Sequence, residues 1–223
     1  MRKKTLLSWS SGKDSAWALH VLRQREDVDV VGLFTTVNRE FQRVAMHGVR
    51  VELLGQQAEA VGLALEILEI PYPCSNEQYE SVMAGFVVRA KARGVQCMAF
   101  GDLFLADIRS YREAKLAGTG IEAVFPLWHL PTGELARQMI AAGARAILSC
   151  VDPKKMPAHA AGREFDAVLL AELPPTVDPC GEHGEFHSFA VDGPAFARPV
   201  RVCVGEIVER DGFVFADILP AGR

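Results

Sequence analysis

The sequence predicts a doubly wound α/β fold with a mostly parallel sheet, followed by a small C-terminal α+β part that contains a β-hairpin. Three observations carry this. Short apolar runs alternate with helix-periodic segments through roughly two thirds of the chain, the pattern of parallel strands joined by helical crossovers. A turn rich in serine and glycine separates the first run from the first helical stripe, at the carboxyl edge where such sheets gather their ligands. Beyond residue 151 the alternation gives way to turn formers and two last apolar runs around ERDG.

Residues 5–9 read as a short buried strand. Residues 14–25 read as a helix, with apolar side chains at 16, 17, 19, 21 and 22. Residues 28–35 are strand-like, 50–62 helical and 63–70 extended, the last run closed by Pro71 and Pro73. Residues 77–93 form an amphipathic helix stopped by Gly94. A strand is then expected over 95–100, a helix over 109–116, a strand over 121–125, a helix over 133–142 and a strand over 146–151. Residues 151–162 read as loop, 163–171 as helix and 173–185 as turns, with 200–208 and 213–219 pairing as the hairpin. A soft boundary divides the chain into a larger unit, 1–152, and a smaller one, 153–223.

The 223 residues are 49% hydrophobic and 23% charged, with 24 basic against 28 acidic side chains and a net charge of -4. Such a chain can bury a real core, so disorder as the dominant state is excluded. No apolar run approaches the roughly 20 residues of a membrane span, and the first residues do not read as a secretory signal. The expected location is the cytoplasm. The mildly acidic balance argues against a protein that holds nucleic acid by neutralising phosphates, so a nucleic-acid partner is not expected. Five cysteines, widely spaced and without a C-x-x-C pair, point to reduced thiols.

The turn Ser8-Trp9-Ser10-Ser11-Gly12-Lys13-Asp14-Ser15 has the chemistry of a phosphate cradle. Gly12 lets the backbone approach a ligand, amides at the helix start point at an anion, Ser10, Ser11 and Ser15 add hydroxyls, and Lys13 adds charge. Asp14 would repel phosphate unless a cation such as Mg²⁺ intervenes or it serves as a cap. A plain capped turn uses the same residues. A Walker A loop is excluded, because Leu7 stands where its first glycine belongs and Asp14 follows the lysine. No G-x-G-x-x-G dinucleotide fingerprint is present here.

SSGKDS resembles the S-G-G-x-D-S loop of the PP-loop ATP pyrophosphatases, with Ser11 at a position that is usually glycine. GDLFLADIRSYRE (101–113), PLW (126–128) and DPCGEHGEFHSFAVDGP (178–194) resemble the diphthine-ammonia ligase family within that group, and the likeness covers almost the whole chain. The resemblance implies a Rossmann-like PP-loop domain over 1–152 and a substrate-binding part over 153–223. It implies ATP with Mg²⁺ as cofactors, and ATP, ammonia and an acceptor carboxylate on a protein or small molecule as partners. The carboxylate becomes an acyl-adenylate, pyrophosphate leaves, and ammonia displaces AMP. In that family the acceptor is diphthine, a modified histidine of a translation elongation factor. On this likeness the chain is expected to do without the long C-terminal extension of larger relatives.

On this reading Lys13, Asp14 and Asp102 are catalytic, with Asp14 meeting Mg²⁺ through the phosphates. Ser10, Ser11, Gly12, Lys13, Asp14, Ser15, Thr35, His47 and Gly101 bind the nucleotide, and Glu182, Glu185 and His187 bind substrate. If residues 185–189 are extended, Glu185 and His187 share one face and Phe186 the other. Thr35 and Thr36 serve equally well as plain strand residues, His47 as a surface histidine, and Arg112 with Glu113 as a solvated helix face. Cys180, His183 and His187 offer three metal ligands without a fourth, and the zinc question stays open. A homodimer also stays open. Two alternatives stand beside the ligase: a PP-loop enzyme acting on another acceptor such as tRNA or a metabolite, and a non-catalytic ATP-binding module.

Overall fold

The computed structural model describes residues 1–41, 43, 44 and 48–221, so His47 lies outside the described residues. The larger sheet is built from β1 (Lys3–Ser8), β2 (Val28–Asn38), β4 (Leu65–Ile70), β5 (Cys97–Ala99) and β6 (Glu122–Val124), with the two-residue β3 (Arg43–Val44) at its end. The parallel strands run β4-β2-β1-β5-β6. β2 outruns β1, whose last pair is Ser8 with Phe34, and the free edge beyond is taken by β3 in antiparallel pairing. The crossovers are α1 (Lys13–Gln24), α2 (Val51–Val61), α3 (Asn76–Ala92) and α4 (Ala106–Leu116).

Local chemistry sets the helix ends. Ser75 opens α3 with a reciprocal capping box to Gln78, and Gly62 closes α2 in the left-handed region at φ 69. The strand order reverses between β1 and β5, so the loops that leave these two strands part at the carboxyl edge and open a crevice there.

The second sheet is antiparallel, in the order β8-β7-β10-β9. It comprises β7 (Arg145–Val151), which follows α5 (Thr132–Ala141), and β8 (Phe186–Asp192), which follows α6 (Ala167–Glu172). The hairpin of β9 (Val202–Arg210) and β10 (Phe213–Pro220) completes it. The expected hairpin is present, and the α/β class holds. β7 departs from the alternation that suggested a parallel strand: it pairs antiparallel with β8 and β10. Its apolar run is buried, and burial alone does not say which sheet a strand joins.

The helix expected over 163–171 starts only at Ala167. Residues 163–165 give their backbone groups to β7, through Arg163 O to Leu148 N–H and Phe165 N–H to Ala146 O. Asp166 then caps the helix by accepting from Leu169 N–H.

α1 lies between the sheets and is buried almost all round. Leu7, Leu19 and Leu33 share one core with Leu148, Val151 and Phe189. A second tie is Asp217 of β10, which accepts from Arg43 at 3.0 Å and Arg50 at 2.6 Å. Among the described residues no helix is long and apolar enough to cross a membrane.

Candidate functional site

At the reversal point lies a cavity of about 260 Å³, walled by the turn after β1, the loop after β5 and residues 180–188. The turn is shaped by its backbone. Ser11 sits at φ 71, in the left-handed region that glycine enters at little cost and serine does not. Its carbonyl accepts from Ala190 N–H at 2.8 Å and from Gln57 Nε2 at 3.0 Å. The same Gln57 amide donates to Ala190 O at 2.7 Å, while its Oε1 accepts from Trp9 Nε1 at 2.8 Å. One fully buried glutamine on α2 thus ties turn, helix and β8 together.

Gly12 begins α1 without any side-chain cap. Ser10 Oγ accepts from Gly12 N–H at 3.3 Å, and Ser15 Oγ donates to Gly12 O at 2.9 Å. The Lys13 amide donates to Ser188 Oγ at 3.2 Å.

Lys13 is buried, and its charge is already engaged. Nζ donates to Asp14 at 2.9 Å and to the Cys180 carbonyl at 2.5 Å, and it lies about 5 Å from the rings of Phe165 and Phe186. Burial opposes the ammonium, but Asp14, together with Cys180 and Glu182, holds the lysine above its ordinary range. Burial in turn raises the Asp14 carboxyl despite Lys13, although 26% of its side chain stays open to the cavity.

The loop after β5 comes close because Gly101 has no side chain: a Cβ there would stand 3.2 Å from the Asp14 carbonyl carbon. Asp102 is held by Arg112 of α4 through two bonds of 2.6 and 3.1 Å. The guanidinium lies 4.4 Å from the centre of the Phe100 ring. Next in line, Leu103 N–H donates to Glu182 Oε1 at 2.8 Å, joining this loop to the far wall.

That wall is organised by Asp178. Its Oδ1 accepts from the amides of Cys180 and Glu182 at 2.9 and 3.2 Å, and its Oδ2 accepts from Thr132 Oγ1 at 2.6 Å. Gly181, at φ 75, would place a Cβ 2.8 Å from Phe186 O, so the turn tolerates only glycine. Burial, reinforced by Asp14 and Asp102, pushes the Glu182 carboxyl up to about 7. Burial and then Lys13 push His187 down to about 4, which keeps the imidazole neutral. The Cys180 thiol is pushed up to about 12 by burial and stays protonated.

Ser10, Gly12, Lys13, Asp14, Ser15, Gly101, Asp102, Glu182 and His187 therefore line one cavity. Ser11 lies beneath it with a buried hydroxyl that has no partner. Thr35 is buried within β2, away from the cavity lining. Glu185 is buried too, its Oε1 accepting from Asp178 N–H at 3.0 Å and its Oε2 unpartnered. Among the described residues no three His, Cys, Asp or Glu side chains are gathered closely enough to hold a metal. Cys180 Sγ faces Thr132 O, and the His183 ring lies against Phe104.

Gln57, Asp178 and Ser188 escaped the sequence reading. The signals were faint: a lone glutamine in an apolar helix stripe, an Asp-Pro at a turn, and a serine between two aromatic residues. His187 also borders a second cavity of about 540 Å³, lined by Asn38, Phe41, Tyr72, Arg210 and Phe215 among others.

Residues 3–121, more than half of the chain, match the family model described as the diphthamide synthase N-terminal domain. The chain belongs to this family. The match takes in the turn after β1 and Gly101-Asp102, and it ends before the Asp178 wall. The chain is similar to the diphthine–ammonia ligase of Rattus norvegicus, at 24% identity over 163 residues. That alignment covers 70% of this chain and 61% of the rat protein, so the chain spans less than two thirds of its relative's length.

Proposed function

We propose that this protein is an ATP-dependent ligase that adenylates an acceptor carboxylate, releases pyrophosphate and passes the acyl group to ammonia. The observation that carries this reading is the meeting, in one cavity, of a helix start flanked by serines with a wall that bears a carboxylate. The first suits a polyphosphate; the second suits a cationic or amine reactant. Family membership and the similarity to a diphthine–ammonia ligase support the same reaction.

The acceptor oxygen must attack the α-phosphate while the bond to the β-phosphate breaks. The turn after β1 fixes the phosphate tail, which turns a bimolecular encounter into an aligned one. Lys13, Ser10 and Ser15 meet charge as it develops on the phosphate oxygens.

Asp14 is the counter-charge of Lys13 in the absence of nucleotide. It is also the exposed carboxylate best placed to meet Mg²⁺ carried in by the triphosphate, an arrangement that needs only one or two protein ligands. Bound there, the ion would neutralise phosphate charge. The nucleoside would be held by the larger cavity next to His187, whose rim carries the half-exposed rings of Phe41 and Tyr72. Diphthine is the acceptor class that the relative's name suggests.

Product analysis tests the reading. With ATP, ammonium and a diphthine-bearing elongation factor, AMP and pyrophosphate are expected in amounts matching the amide. ADP and phosphate would rule the adenylation out.

A further inference from the structure

Three carboxylates, Asp14, Asp102 and Glu182, line the smaller cavity. Asp14 has Lys13 at 2.9 Å, and Asp102 has Arg112 at 2.6 Å. Glu182 has no cation within ion-pair distance among the described residues. Its Oε1 is pinned by the Leu103 amide, and its own backbone N–H is held by Asp178. It is thus fixed from both sides, drawn out of bulk solvent, and set across from the turn after β1. Asp14 and Asp102 act on it as like charges.

A fixed carboxylate in a negative, partly dry pocket favours a small cation with hydrogen-bond donors. Ammonium fits that description and must lose a proton before its nitrogen can attack.

We infer that Glu182 seats the ammonium ion and accepts its proton as the nitrogen attacks the acyl carbon. The inference rests on the ligase reading and assigns the amine half of the reaction to one residue. The new C–N bond forms as the C–O bond to AMP breaks, with AMP leaving with the bonding electrons. One proton passes from ammonium to Glu182, and the second is lost from the tetrahedral nitrogen to solvent. The other charged or titratable groups facing the cavity are already engaged or neutral: Lys13 and Asp14 with each other, Arg112 with Asp102, His187 as neutral imidazole and Cys180 as protonated thiol. Proton acceptance near neutrality agrees with the raised carboxyl of Glu182.

The test compares wild type with Glu182→Gln, whose amide oxygen can still accept from Leu103. Each enzyme receives ATP, Mg²⁺ and a diphthine-bearing elongation factor, with either ammonium chloride or hydroxylamine at neutral pH. Hydroxylamine is largely unprotonated there and needs no base to become a nucleophile. In the variant, amide formation from ammonium is expected to fall about a hundredfold or more relative to hydroxamate formation.

Ammonium-dependent amide at the wild-type rate would overturn the assignment. So would parallel loss of hydroxamate and amide, which would make Glu182 a structural or nucleotide-side group. If the wild type itself gave no acceptor-dependent pyrophosphate, the ligase reading would fail first and take this assignment with it.

Discussion

The walls formed by residues 9–15 and by residues 178–188 face each other across one cavity, yet they hold their charge in opposite ways. On the first, the cation and the anion are sequence neighbours, Lys13 and Asp14, and they neutralise each other. On the second, the Glu182 carboxylate is steadied by a backbone amide and has no cation within ion-pair distance among the described residues. The supports are reversed as well. The first turn is contiguous in sequence but propped from afar, by Gln57 and Ala190. The second is shaped largely from within, by Asp178 and Gly181. A self-neutralised wall can receive a polyanion with its own cation, whereas an uncompensated carboxylate suits a positive reactant.

Asp14→Asn should disturb the first wall most in function. AMP formation is expected to fall between about a hundredfold and a thousandfold, and thermal unfolding should also shift down, because Lys13 is left buried without its counter-charge. Full activity with the true acceptor would remove Asp14 from the mechanism. Gln57→Leu attacks the same wall through its prop. It strands Trp9 Nε1 and weakens the bonding of the Ser11 and Ala190 carbonyls, so urea unfolding should show a loss of about 2–3 kcal/mol. Asp178→Ala is the matching cut on the second wall, and it should impair ammonium use more than pyrophosphate release.

A pH series separates two further groups by sign. Glu182 binds its proton more tightly folded than unfolded, so its contribution lowers stability as pH rises from about 4.5 to about 7. His187 binds its proton less tightly when folded, so its contribution raises stability as pH rises from about 4 to about 6.5. The two partly cancel in wild type. Relative to wild type, Glu182→Gln should therefore gain stability with rising pH across this window, and His187→Asn should lose it. Each difference should be on the order of 1–2 kcal/mol once solvent in the cavity is allowed for. Denaturation midpoints at pH 4.5 and 7 would show it, and equal slopes in all three proteins would break the assignment.

The smallest effect is expected from Ser11→Gly. It removes the positive-φ cost and an unpartnered buried hydroxyl while adding backbone freedom to the unfolded chain, for a net gain of about 0.5 kcal/mol. A loss of stability would mean that the serine hydroxyl has a partner.

How far the sequence could be read follows from the same contrast. The turn after β1 was legible as a turn because its serines and glycine are adjacent in the chain, and the α/β class because helix and strand periods repeat locally. Ser11 was noticed as a departure from glycine, and its backbone angle gives that departure a physical cost. The second sheet was harder. β7 has the same buried apolar pattern as a parallel strand, and only its long-range partners distinguish it. The alternation argued for Glu185 and His187 gave no hint that Glu185 would be buried under the Asp178 turn. Gln57 and Ser188 act on residues far along the chain, and no local pattern marks such a role.

The hydrogen bond from the Ala190 amide to the Ser11 carbonyl also sets an order of events during synthesis. The first strand and helix leave the ribosome early, but the amide that braces their turn is made roughly 180 residues later. At 5–20 residues per second this is a wait of about 10–40 s. A nascent chain therefore carries the turn after β1 with only its Gln57 brace until β8 emerges, and the fully braced turn should arise late.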